Sequence, residues 1–151
     1  RNDAVDFTCF FRALCRVPFS ALQSADSADA LEGVVDFSKR GAEGREEWQA
    51  WLARYAHALS TEEGSNLAGE TGEAEDAARL ARMASANPIY ILRNAYTQQA
   101  IEQAERGDHT LLHHLHRAVL SPFSDLGCDY QQFTRPCSDD LNLRPGVYQL
   151  S

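Results

Sequence analysis

The stretch NPIYILRNAYTQQAIEQAERGD, Asn87 to Asp108, sets the fold class. Asn87 offers an N-cap oxygen, and Pro88 suits the first helical position, where a missing N–H costs nothing. Gly107 suits the left-handed residue that closes a helix, and Asp108 then caps the next one. The spacing predicts a helix over 87–106. Winding it at about 100° per residue places Ile89, Leu92, Tyr96, Ala100 and Ala104 on one arc. Arg93 falls inside that arc, while Ile91 and Ile101 lie off it, so the helix is expected to be central among neighbours. A cation and an amide, Arg93 and Asn94, thus sit in the most apolar turn. Since an unpaired buried charge is costly, they are expected to tie helices or domains together. Arg93 is expected to be at least half buried on a carboxylate or on helix-end carbonyls. Asn87, Pro88, Arg93 and Asn94 form the structural or interdomain set.

The other periodic segments point the same way. Phe7, Phe10, Phe11 and Leu14 recur at helical spacing within Asp3 to Val17, and Pro18 is a plausible stop. SADALEGVVDF predicts a shorter helix with Ser27 as N-cap and Leu31, Val34 and Val35 on one side. Trp48, Trp51, Leu52, Tyr55 and Leu59 form one stripe, which predicts a heavily buried face. A helix from about Glu73 to Ala84 turns Ala77, Leu80, Ala81 and Ala84 to one side, and DHTLLHHLHRAVL aligns Leu111, Leu112, Leu115 and Val119 before Pro122. Residues 61–73, TEEGSNLAGETGE, read as an acidic flexible loop. From Ser121 onward there are three prolines and no clear period, so an irregular tail is expected over the surface of the helices. With no alternating strand pattern, the expected fold is all-α: one helical domain over 1–151, about six helices and an irregular C-terminal tail.

A chain of 151 residues can bury roughly 70% of the surface it exposes when unfolded, so no disulfide or metal staple is required. The net charge of −8, with 22 acidic against 14 basic side chains, would repel phosphate backbones and anionic lipid, so neither nucleic acid nor membrane is an expected partner. No apolar run approaches the roughly 20 residues of a membrane span, and no signal segment is recognisable. Cys9, Cys15, Cys128 and Cys137 show no CxxC or zinc spacing and suit reduced thiols. A cytoplasmic location is expected. A start at Arg1 without methionine is expected of a trimmed chain or a piece of a longer protein.

Chemistry-bearing motifs are few. No GxxxxGK[ST], GxGxxG, GxSxG or HExxH occurs, and the acidic residues read as scattered along solvent faces, so no catalytic residue is nominated. His109, His113 and His116 fall on one side of a helix, but beside the leucine stripe and without a helical carboxylate. Solvated imidazoles are favoured over a metal site there.

NPIYILRNAYTQQAIEQAERGD followed by LHHLHRAVLSPFSD resembles the C-terminal part of the selenoprotein O family, whose members carry an NPKYxLRN-type helix, an AIExAExGD helix end and a following PF or PY turn. DFTCFFRAL and WQAWLARYAHAL are similar to that family's preceding segments, in the same order. The resemblance covers nearly the whole chain. It implies a helical C-terminal domain of a kinase-like protein adenylyltransferase, which moves AMP from ATP to protein hydroxyls with Mg²⁺. The family's nucleotide-binding and catalytic motifs lie upstream of the matched region. No cofactor is therefore expected in this chain, ATP and Mg²⁺ belonging to the full-length family. Its implied partners are the kinase-like catalytic lobe of the same protein and that enzyme's protein substrates. The alternative is a free-standing protein–protein interaction module. The ending NLRPGVYQLS departs from the family's CSS-like or selenocysteine-bearing tail, and Cys128 and Cys137 match no family position, so redox regulation is not carried over.

Overall fold

The computed structural model describes residues 5–32, 34–35, 41–62, 67 and 71–135. Among these it is all-α, with six α-helices, two 3-10 segments and a single isolated bridge, Glu32 to Val35. The chain divides into two compact units, Arg1–Asn87 and Pro88–Ser151. No helix among the described residues is long and apolar enough to cross a membrane. The predicted 61–73 loop lies largely outside the described residues.

Unit one begins with α1, Phe7–Leu14, capped by Asp6, whose Oδ1 accepts the Cys9 N–H at 2.8 Å. Pro18 breaks the run as expected, and a four-residue helix, α2, Phe19–Leu22, follows it. The predicted SADALEGVVDF helix is instead a 3-10 segment, Ser27–Leu31, with Asp26 at its N-cap and Ser27 buried inside it. Its backbone closes i to i+3 bonds such as Glu32 N–H to Asp29 C=O, the pattern that short pieces of 3-10 helix use. Leu31 and Val35 still reach the core.

α3, Gly41–Thr61, is the predicted aromatic helix. Leu52 and Ala56 are buried, and the two tryptophans are partly buried around Phe10, with ring centroids 5.4 Å (Trp48) and 5.5 Å (Trp51) away. Tyr55 stacks on Trp51 at 5.5 Å.

α4, Gly72–Ala86, presents a different face from the one its alanines predict. Ala77 and Ala81 are exposed, and the buried positions are Gly72, Asp76 and Arg79. Pro18 is the cause. By breaking the helix it leaves the Val17 carbonyl and the Phe19 amide with no helical partner, and buried backbone groups must be satisfied. Asp76 Oδ2 accepts the Phe19 N–H at 2.8 Å, Arg79 Nη2 donates to the Val17 carbonyl at 2.9 Å, and Arg79 Nε donates to Asp76 Oδ1 at 2.7 Å. This carboxylate is buried rather than on a solvent face. Asn87 closes α4 by donating from Nδ2 to the Met83 carbonyl at 2.8 Å. From α1, Arg12 Nη1 donates to the carbonyls of Asn87 (2.8 Å) and Ala84 (3.2 Å), a cation at the negative end of the α4 dipole.

In unit two the predicted 87–106 helix starts seven residues late. α5 is Asn94–Ala104, Arg93 is its extended N-cap residue, and the stretch before it is not helical. Asn87 is held extended by the proline that follows, with φ −112° and ψ 109°. Ile89, Tyr90 and Ile91 favour extended backbone, and the Ile89 N–H donates to the Pro122 carbonyl at 2.6 Å. Tyr90 is buried, and its hydroxyl oxygen accepts the Leu126 N–H at 3.0 Å. Pro88 is therefore not a first helical residue, and the arc that placed Arg93 beside Ala100 and Ala104 does not exist.

Gly107 adopts the predicted left-handed conformation, with φ 85°. α6, Thr110–Leu120, then buries Leu111, Leu115 and Ala118 while Leu112 and Val119 face outward, so the predicted stripe is split. A second 3-10 segment, Cys128–Thr134, carries Tyr130 and Phe133 into this core rather than over its surface. Phe133 meets Tyr96 edge-on at 5.2 Å, and the Tyr96 hydroxyl donates to the Gln132 carbonyl at 2.9 Å.

Arg79→Met should destabilise unit one by about 3 kcal/mol or more, because it leaves the Asp76 carboxylate buried without its partner. An exposed change on the same helix, Ala81→Ser, should stay within about 0.5 kcal/mol. Urea unfolding followed by tryptophan fluorescence reads both, since Trp48 and Trp51 lie in this unit.

Candidate functional site

Unit two carries the surface feature that its own core does not explain. α5 and α6 are joined by the short turn at Glu105–His109, and their outer faces leave a groove of about 570 Å³. Its walls include Leu92, Ile101, Leu112 and Val119, which are 57%, 42%, 45% and 37% exposed. Thr97, Glu105 and His116 supply its polar groups. Four large aliphatic side chains on one surface are costly to leave in water, which marks a contact surface rather than a chemical centre. Leu112 and Val119 share the leucine face that the sequence period defines, but periodicity alone does not say which neighbour a helix face meets.

The remaining predicted residues fall as follows. Asn87 ends unit one, whereas Pro88, Arg93 and Asn94 belong to unit two. Arg93 and Asn94 are partly buried, and the Arg93 carbonyl accepts both the amide (3.0 Å) and the hydroxyl (3.1 Å) of Thr97. His109, His113 and His116 are exposed, with the rings of His109 and His113 6.4 Å apart. Among the described residues no group of three His, Cys, Asp or Glu side chains is placed to hold a metal ion.

The groove of unit two does not fit ATP with Mg²⁺, the pair that the family resemblance brings in. The groove of unit two is walled by aliphatic side chains, and the left-handed glycines Gly107 and Gly127 are isolated turn positions rather than a phosphate loop.

Among the described residues, two ionisable groups are displaced from their ordinary behaviour. Burial pushes the Cys15 thiol up, against the opposing Arg12 charge and the Asn87 side chain, which keeps it protonated and unreactive. Cys128 is exposed, and Cys137 lies outside the described residues. At the start of α6, hydrogen bonds from Thr110 hold the Asp108 carboxyl below its usual range, the amide donating at 2.9 Å.

No family model matches the chain, and no solved structure matches it. Curated relatives do. The chain is 34% identical over 135 residues to a protein nucleotidyltransferase of Pseudomonas paraeruginosa, covering 89% of this chain and 23% of that protein. It is 38% identical over 125 residues to one from Xanthomonas campestris pv. campestris (83% and 21%) and 36% identical over 125 residues to one from Azotobacter vinelandii (83% and 21%). The chain is thus homologous to a fragment of bacterial protein nucleotidyltransferases and spans less than a quarter of the length of these relatives. These curated homologues are YdiU proteins, of the selenoprotein O family.

Asp108→Ala should lower the melting temperature at neutral pH. Because the folded-state carboxyl titrates lower than the unfolded one, that contribution is fully present above the unfolded group's value and is lost as the pH falls from there through the lower folded-state value. The two melting curves should therefore converge below about pH 4. In a separate thiol assay, a disulfide reagent at mildly alkaline pH should modify Cys128 promptly and Cys15 only when unit one unfolds.

Proposed function

We infer that this chain is a non-catalytic helical segment of a protein nucleotidyltransferase that transfers AMP from ATP, with Mg²⁺, to hydroxyl side chains of protein substrates. The observation that carries this reading is the identity of 34% to 38%, over 83% to 89% of the chain, with proteins bearing that name. The segment's role is to scaffold: it holds a kinase-like lobe of the same polypeptide and shapes the access of protein substrates. Arg93 and Asn94 take part in that packing, and the groups that handle phosphate belong to the lobe. The segment works in the cytoplasm, alongside the ATP its parent consumes.

The aliphatic groove of unit two also favours a second reading, a free-standing interaction module that binds another protein through this surface. An open reading frame running from this segment into kinase-like sequence favours the first.

Labelled AMP decides the activity. With ATP and Mg²⁺, the longer polypeptide that carries this segment should label protein hydroxyls, whereas the 151-residue chain should incorporate nothing. Calorimetry on the chain should show no Mg²⁺-dependent ATP site. A micromolar site there, or AMP transfer by the chain alone, refutes the scaffold reading.

A further inference from the structure

We propose that the groove between α5 and α6 seats an amphipathic helix from the part of the longer polypeptide that lies outside these 151 residues. This rests on reading the chain as one segment of a longer nucleotidyltransferase. More than three quarters of each relative's length lies beyond the match and is available to supply the cover.

Shape and chemistry select a helix. α5 and α6 are each 11 residues long, about 16 Å at 1.5 Å per residue, so the groove between them accepts roughly three turns of a third helix. Their backbone amides are used within the helices, which excludes recruitment of an extended strand by backbone pairing. The walls at Leu92, Ile101, Leu112 and Val119 ask for aliphatic anchors at i, i+3 or i+4, and i+7. Glu105 at one end complements a Lys or Arg on the incoming helix. A second copy of this chain is disfavoured by charge, since two bodies of net charge −8 repel. The same repulsion disfavours an anionic membrane surface.

Site-resolved reactivity tests this. Leu112→Cys is made in the 151-residue chain and in the longer polypeptide, and modification at position 112 by a maleimide is followed by mass spectrometry. The thiol should react at least about tenfold more slowly in the longer polypeptide, an occlusion of at least about 1.4 kcal/mol. Ile101→Gln together with Val119→Gln should leave the melting temperature of the chain nearly unchanged, restore fast modification in the longer polypeptide and lower its melting temperature by several degrees. Equal rates at position 112 in the two polypeptides overturn the proposal. So does slow modification in the chain alone together with a dimer in sedimentation, because the occupant is then a second copy. AMP incorporation by the unmodified longer polypeptide is measured separately. Its loss with the rate difference intact refutes the proposed activity and leaves the docked helix standing, whereas labelling with equal rates does the reverse.

Discussion

A proline inside a helical run strands a carbonyl and an amide, and the first unit of this protein is organised around the groups that answer them. Asp76 and Arg79 lie one turn apart on α4 and bind each other, the Phe19 amide and the Val17 carbonyl. The pair fixes which side of α4 faces inward and sets the alanines outward. Because both charges are buried, each is tolerable only with the other in place. Arg12 makes a second tie from α1 to the end of α4, so the helix is fastened by polar contacts along a face that carries little apolar surface of its own.

The second unit depends on an extended stretch rather than on another helical turn. The backbone after Pro88 meets the Pro122 carbonyl, and Tyr90 and Tyr130 bring segments far apart in the chain into one small core. The late start of α5 follows. Asn87 is freed to close the preceding helix, and Arg93 contributes its carbonyl to the first turn of the next. Residues that look like one capped helix therefore serve two different elements.

Each core is built largely from aromatic and aliphatic contacts, and in unit one the buried Asp76 and Arg79 are engaged in holding the backbone on either side of Pro18. Unit two offers a partner its aliphatic groove. The chain is homologous to a fragment of much longer nucleotidyltransferases, and the groove is the surface on which the proposed docking rests.

The amino-acid sequence by itself determined the all-α class, the aromatic stripe of α3, the Pro18 break, the left-handed Gly107 and the resemblance to a fragment of the nucleotidyltransferases. Each of these is a local signal, set by periodicity, by one residue's backbone limits or by a long motif. Which faces turn inward was decided only in three dimensions. Ala77 and Leu112 carry the apolar character of core positions yet face out, and Asp76 carries a charge yet faces in. Asn87 and Pro88 have the chemistry of a helix start, but the same residue types also serve at a helix end followed by extended chain. The choice went to the arrangement in which distant groups, the Val17 carbonyl, the Phe19 amide and the Pro122 carbonyl, found partners. No window of sequence contains both members of those pairs, and burial without a partner costs more than any local propensity returns.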